Sequence, residues 1–192
     1  MKIKYISFSL IILFIFTYSL FSDDFQYLGT YDLIKEFYFP RDEGTINEEK
    51  LIEYIENFCK EHDLFLTKTK INDEDNIITN SYNLEITIKG TNKGKNIIIA
   101  HLNSQIINHQ YIDNSLSILI ILELIKKCKN LRLEKDLVFL ISGSNKNEKK
   151  QYNGINYFIK NNNLDHSLVT AIDLLSNKSR IKFSGNKKKK VI

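Results

Sequence analysis

The stretch NIIIAHLNS, residues 96–104, decides the fold of this chain. It begins with a short apolar run, which is typical of a strand buried at the centre of a sheet, and passes directly into polar residues at His101. Two later runs have a similar character, LVFLI at 137–141 and LVTAIDL at 168–174. We therefore predict three central strands.

Helical patterns separate these strands. Residues 48–62 (EEKLIEYIENFCKEH) place their apolar side chains on one stripe, with Glu and Lys on the opposite side. Thr45 and Glu48 match a capping box at the start of this helix. Further helices are predicted over 114–127 and 152–161. The alternation of strand and helix predicts an α/β protein, a three-layer sandwich with a mixed, largely parallel central sheet.

Two other segments are predicted to be strands. Residues 83–89 (NLEITIK) alternate apolar and polar side chains, as a half-exposed strand does, and GTNKG at 90–94 then predicts a tight hairpin turn. Residues 179–183 (SRIKF) are predicted to form a final strand.

The first 22 residues are predicted to be a signal peptide or an uncleaved N-terminal anchor. Lys2 and Lys4 precede an apolar run of 16 residues at 6–21, and acidic residues begin at Asp23. This order is that of a secretory signal, and the run is shorter than the ~20 residues that span a bilayer. Ser22 suits a cleavage site, but the residues around it are large, so an uncleaved N-terminal anchor is the alternative. Either way, we expect export to the periplasm or cell envelope.

Residues 23–186 form the single predicted domain, followed by a basic tail at 187–192. The formal net charge is +4, but six lysines lie in the N-terminal segment and the tail, which leaves −2 on the rest of the chain. A nucleic-acid-binding protein carries a basic surface on its folded body, so the composition argues against nucleic acid as a partner. We expect membrane contact through the N-terminal segment only and a solvated tail.

The two cysteines, Cys59 and Cys128, fall in separate predicted helices. Outside the cytoplasm they could form a disulfide. Two reduced, buried cysteines are the alternative, because sequence separation does not reveal proximity.

Polar side chains follow the predicted central strands. His101 ends the first strand, Asp173 lies near the end of the third, and Asp113 directly precedes the second helix. Functional sites of α/β sheets gather at the carboxyl ends of the strands, and one imidazole with two carboxylates suits a divalent cation. Each residue also has an ordinary structural explanation: a hydrogen-bonded histidine, an acid at a helix N-terminus, and a turn cap.

The chain resembles the zinc aminopeptidases and related enzymes of the M28 peptidase family between about residues 39 and 183. AHLNS is similar to the family motif H-x-D-S, YIDNSLSILIILELI to D-N-x-S-G-x-x-x-x-L-E-x-A, and TAIDLLS to a strand ending N-x-D-M-x-G. FPRDEGTINEEKLIEYIENF is similar to the opening R-x-x-G region and its helix. The resemblance implies a zinc-exopeptidase-like fold, with His101, Asp113 and Asp173 as ligands of one zinc ion.

The chain departs from the family pattern at three places. Family enzymes hold two zinc ions and use a Glu from a Glu-Glu pair as general base; here that pair aligns with Ser144 and Asn145, which cannot take up a proton near neutral pH. The second member of H-x-D is Asn103, which could orient His101 but carries no charge. The last ligand, a downstream His, has no counterpart before Ile192. The resemblance therefore implies a degenerate, C-terminally truncated member with at most one metal site.

Two functions follow from these observations. The first is an exported, M28-like protein, impaired or inactive in catalysis, that acts as a binding or structural module in the cell envelope, with a peptide or small ligand as the expected partner, or that is decaying. The alternative is an active single-metal aminopeptidase or other metallopeptidase, since water on one zinc ion can reach a pKa near 7. That enzyme would lack a positioned base, which typically contributes about 10²–10⁴-fold in rate. Glu148 and His109 lie on nearby loops, and we expect both to be solvated.

Overall fold

The computed structural model describes residues 39–72, 78–107, 110–112, 115–144, 153–165 and 167–172. The chain divides into two units, Met1–Glu36 and Phe37–Ile192, and all of the described residues belong to the second. In chain order they form α1 (Ile46–Glu61), β1 (Leu66–Asn72), β2 (Ile78–Ile88), β3 (Gly90–His101), β4 (Gln105–Ile107), β5 (Gln110–Ile112), α2 (Ser115–Cys128), β6 (Leu133–Ser142), α3 (Asn153–Asn161) and β7 (Leu168–Ala171). None of these helices has the length and apolar character needed to cross a membrane. The predicted signal segment, basic tail and strand 179–183 lie outside the described residues.

Helix α1 begins two residues earlier than predicted and ends one residue earlier. Thr45 caps it, and its side chain accepts a hydrogen bond from the Glu48 N–H at 3.4 Å. The predicted apolar stripe is buried, with Ile55 completely inaccessible to solvent. The sequence places Glu48 on the solvent side of the helix, and this prediction is wrong: Glu48 is only 1% exposed.

Five strands form the main sheet in the order β1–β2–β6–β3–β7. β2 is antiparallel to both of its neighbours, whereas β6, β3 and β7 are mutually parallel. Four of these five strands therefore point in one direction, and the predicted mixed, largely parallel sheet is confirmed.

The connection from β2 to β3 is not the predicted hairpin. Residues 90–94 belong to β3 itself, and β6 lies between β2 and β3. Gly94 has a φ of 107°, which glycine adopts readily, and the pairing register of β3 with β6 shifts between Asn92 and Lys95. The glycine therefore serves an irregularity within the strand and does not form a turn. A Cβ atom on Gly90 would lie 2.2 Å from the carbonyl carbon of Lys135, so only glycine can pass this close to β6.

Helices cover both faces of the sheet. The β3–α2–β6 crossover moves along the sheet in one direction, and the β6–α3–β7 crossover moves in the opposite direction. Because both crossovers are right-handed, α2 and α3 lie on opposite faces of the sheet. Phe158 of α3 packs on one face in a cluster with Ile97, Ile99, Val138 and Leu140. The alternate side chains Ile98 and Phe139 are buried as well. The central strands are therefore enclosed on both sides, as their unbroken apolar runs predict.

Strand β1 and the small β4–β5 pair are elements that the sequence analysis did not predict. β1 pairs with β2, and within the described sheet it is an edge strand. Its exposed side chains include Lys68 and Lys70, which is common on edge strands because charges there discourage pairing with other chains. A strand with so few apolar residues gives a weak sequence signal.

Candidate functional site

The carboxyl ends of β3 and β6 lie side by side. His101 ends β3 and is the register partner of Ser142, the last residue of β6. Both side chains are buried, His101 at 3% exposure and Ser142 at 0%. The sequence prediction that His101 lies at the carboxyl edge of a central strand is confirmed, and the residues that follow the two strands build the site around it.

The other two predicted ligands, Asp113 and Asp173, lie outside the described residues. Ile172 is the last described residue before Asp173, and its N–H donates to the Ile99 carbonyl of β3 at 2.8 Å. Within the described residues, no group of three or more His, Cys, Asp or Glu side chains could hold a metal ion. Clustering of the three predicted ligands therefore stays a prediction.

Arg41 joins the loop after β3 to the start of α2. Its guanidinium is completely buried and donates to the Leu102 carbonyl at 3.2 Å and to the Ser115 hydroxyl at 2.9 Å. Its backbone N–H donates to Ser104 Oγ at 2.6 Å, and its carbonyl accepts from the Ser104 N–H. A charged donor makes strong hydrogen bonds in a buried site, so this residue fixes the path of residues 102–104.

Glu48 brings a buried carboxylate to the same region from α1. Oε1 accepts from Ser81 Oγ at 2.5 Å and from Asn103 Nδ2 at 2.8 Å, and Oε2 accepts from the Gly44 N–H at 2.6 Å. Burial raises the pKa of the Glu48 carboxyl, the three hydrogen bonds oppose that rise, and the nearby Glu43 charge adds to it. Glu48 therefore links its own helix to β2 and to the loop after β3.

The end of β6 is shaped by close backbone packing. A Cβ atom on Gly143 would lie 2.1 Å from Ser81 Oγ, and one on Gly154 would lie 2.3 Å from the Gly143 carbonyl oxygen. Ser144 follows with a φ of 51°, a conformation that residues other than glycine rarely adopt. Only glycines let β2, β6 and the start of α3 approach this closely.

Ser144 occupies the position that the family resemblance assigns to the carboxylate pair, while Asn145 lies outside the described residues. Ser144 is 2% exposed; its N–H donates to Ser81 Oγ at 3.1 Å, and its hydroxyl donates to Glu43 Oε2 at 3.0 Å. A carboxylate is thus present beside Ser144, but it comes from the segment before α1. The contributions of Glu43, Glu48 and Ser81 are not predicted from the sequence, because nothing local marks these residues as partners of a site formed by β3 and β6.

The two cysteines are free and buried. Burial raises the pKa of the Cys59 thiol to about 11, with a smaller contribution from the Glu56 charge, and burial also raises the pKa of Cys128. Of the two alternatives for these residues, reduced buried thiols are confirmed.

Solved structures of two kinds of enzyme share this fold. A leucine aminopeptidase precursor from Bacteroides thetaiotaomicron has a TM-score of 0.62 at 15% identity, covering 80% of this chain and 62% of that one. A glutaminyl cyclase from Macrostomum lignano has a TM-score of 0.63 at 15% identity, covering 78% and 53%. A Zn-dependent exopeptidase from Parabacteroides distasonis has a TM-score of 0.57 at 12% identity, covering 78% and 61%.

These likenesses define the class of fold: the mixed α/β fold of zinc-dependent exopeptidases, aminopeptidases and glutaminyl cyclases. At such low identities they show the fold alone. The present chain spans less than two thirds of the length of each of the three proteins. No protein-family model matches the sequence, and neither does any curated protein sequence.

Proposed function

We propose that this chain is an exported, M28-like zinc-binding protein that is impaired in catalysis. One zinc ion would be held by His101, Asp113 and Asp173, and a peptide or small ligand would bind beside it. The observation that carries the proposal is the carboxyl end of β6, where Ser144 is buried and the described residues 142–144 include no carboxylate.

The donor set suits zinc. Imidazole nitrogen and carboxylate oxygen are both zinc ligands, and catalytic zinc sites hold three protein ligands with the fourth position open. Chain positions support this grouping: Ile99 pairs with Ala171, and His101 and Asp173 each lie two residues further along. Arg41 binds Ser115, which lies two residues after Asp113. A bound zinc ion would supply a Lewis acid and lower the pKa of a water molecule.

The impairment follows from proton chemistry. Hydrolysis needs a group that accepts a proton from the attacking water, and the Ser144 hydroxyl is a donor to Glu43. A serine hydroxyl does not accept a proton near neutral pH, and loss of a positioned base typically lowers a rate by about 10²–10⁴-fold. Ligand binding does not need this proton transfer, so it can persist without turnover.

Calorimetric zinc titration of the full chain, after removal of metal with a chelator, tests the zinc site. We expect one zinc ion per chain, loss of binding in His101→Ala, and unchanged binding in the control His62→Ala, whose ring packs against Phe58 at the end of α1. A wild-type chain that binds no zinc, or a His101→Ala variant that binds it equally well, would contradict the proposal.

Turnover is tested on a panel of aminoacyl-peptide substrates beside an active zinc aminopeptidase. We expect the zinc-loaded chain to be slower by at least about 100-fold, because the base is missing at Ser144. Chelator-sensitive turnover at the rate of the reference enzyme would show that the chain is an active peptidase instead.

One contact favours a second candidate function, an active single-metal hydrolase. The Glu43 carboxylate lies 3.0 Å from Ser144 Oγ and is only partly buried, so water can reach it. In this candidate function Glu43 accepts the proton that the end of β6 cannot. Glu43→Gln should then lower chelator-sensitive turnover by about 10²–10⁴-fold, with the exposed Glu49→Gln as the control. Equal turnover in Glu43→Gln and the wild type would exclude this role.

A further inference from the structure

We propose that Glu48 and Asn103 act as one positioning unit, in which the Glu48 carboxylate fixes the Asn103 amide and so holds residues 102–104 in place beside His101. This inference rests on the proposed zinc site for its functional meaning. In this proposal helix α1 takes a direct part in arranging the end of β3. From the sequence, only Asn103 was expected to orient His101.

The location of Glu48 argues against an ordinary capping role. An acid at the third position of a helix normally stays exposed and accepts from the N–H of the capping residue. Here Glu48 is 1% exposed and accepts instead from Gly44, one residue before the cap, while Oε1 reaches Ser81 and Asn103. Oε2 therefore stays at the start of the helix, bound to Gly44, while Oε1 reaches across to β2 and the site loop.

The hydrogen bonds fix which way the Asn103 amide points. Its Nδ2 donates to Glu48 Oε1 at 2.8 Å and to the Arg41 carbonyl at 3.3 Å. Both partners are acceptors, so the amide nitrogen must face them and Oδ1 must face away. The neighbouring backbone is held as well: the Leu102 N–H donates to the Ser142 carbonyl at 2.8 Å, and the Ser104 N–H donates to Arg41 at 3.2 Å.

Only one of the two positions can carry a carboxylate. Asn103→Asp would place a second acid in direct contact with the Oε1 atom of Glu48, and two buried carboxylates at hydrogen-bond distance cannot both stay ionised. Glu48→Gln would turn its amide nitrogen toward either the Asn103 nitrogen or the Gly44 N–H, and both of these are donors, so at least one hydrogen bond of Glu48 is lost in either orientation. When Glu48→Gln and Asn103→Asp are combined, the new amide can donate to the new carboxylate and still accept from Gly44. The double change therefore restores the direct hydrogen bond between positions 48 and 103, whereas the contacts of position 103 with the Arg41 carbonyl and of position 48 with the Ser81 hydroxyl stay lost.

A double-mutant cycle on the full chain at pH 7.5 tests this coupling. We expect Glu48→Gln and Asn103→Asp each to lower the thermal midpoint by about 4 °C or more. The double variant should lose less than the sum of the two single shifts, because the direct hydrogen bond between positions 48 and 103 is restored. Additive shifts would overturn the proposal. If both single variants fail to fold, a folded double variant supports the coupling and an unfolded one overturns it.

A second pair of measurements follows the imidazole itself. Glu48→Gln should shift the ring nitrogen NMR signals of His101 and weaken zinc binding by about 10–100-fold, and the double variant should reverse part of both effects. The control Glu49→Gln makes the same chemical change at the exposed neighbouring position of α1 and should leave the His101 signals and zinc affinity unchanged. His101 signals that are identical in the wild type and Glu48→Gln would overturn the proposal. A wild-type chain that binds no zinc would refute the proposed function, while the thermal cycle and the His101 signals would still decide the coupling.

Discussion

Arg41 is a fully buried cation whose contacts include the Leu102 carbonyl and the Ser115 hydroxyl. Burial of a charge is unfavourable unless strong hydrogen bonds replace its hydration, and removal of the side chain would leave buried acceptors without their donor. Arg41→Ala should therefore lower the free energy of unfolding by roughly 3 kcal/mol in urea titrations. The exposed Arg132→Ala is the control and should change it by less than about 0.5 kcal/mol. Equal midpoints for the two variants would contradict this role of Arg41.

Glu48 shows what local sequence can and cannot predict for a single residue. The spacing of Thr45 and Glu48 correctly predicts the start of a helix, because the cap depends on neighbours three residues apart. The burial of Glu48 depends on Ser81 and Asn103, which are 33 and 55 residues away in the chain. No local pattern encodes such partners, so this part of the candidate site was not predictable from the sequence.

At the scale of elements, Asp136 joins the start of β3 to β6. The Asp136 carboxylate accepts from the Gly90 N–H at 2.9 Å and from Lys89 Nζ at 3.0 Å. Partial burial raises the pKa of Asp136, but the hydrogen bonds from Gly90 and Lys89 outweigh this effect and lower it overall. The side chain therefore stabilises the connection from β2 to β3 where the hairpin was wrongly predicted.

The lowered pKa of Asp136 gives a pH-dependent prediction. A folded-state pKa below the unfolded value means that the stabilisation is present above about pH 3.8 and is lost as the pH falls through the folded-state pKa. Asp136→Asn should lower the free energy of unfolding by about 1 kcal/mol at pH 7. The difference from the wild type should shrink steadily below pH 4. A difference that is the same at pH 3 and pH 7 would exclude this electrostatic contribution.

Strands and helices differ in how far the sequence predicts them. The apolar runs of β3 and β6 and the stripe of α1 predict their elements correctly, because burial imposes these patterns directly. The order of the strands depends on pairing between residues that are far apart in the sequence. Gly90 lies beside Lys135 of β6, for example, and nothing in the stretch GTNKG indicates this contact. The hairpin prediction failed because glycines that allow close packing resemble glycines that form a turn.

At the scale of the whole molecule, topology predicts more of the site than any motif does. Parallel strands bring their carboxyl ends to one edge, which places His101 beside Ser142 and close to the residues that follow them. The same rule predicts that Asp113 and Asp173 lie close to His101. This rule does not predict the buried contacts of Arg41 and Glu48, because Arg41 precedes α1 and Glu48 lies in α1, and neither belongs to the parallel strands.

Export is the prediction that concerns the whole chain. Two lysines, an apolar run at 6–21 and acids from Asp23 follow the order of a secretion signal. In such signals the apolar run enters the membrane while the positive charges stay on the cytoplasmic side. A reporter enzyme that is active only outside the cytoplasm, fused after Asp24, should be active. Leu13→Arg, which interrupts the run with a charge, should abolish that activity. An unmodified fusion that stays in the cytoplasm would contradict export and the proposed location in the cell envelope. The zinc titration of the full chain would still test the metal site.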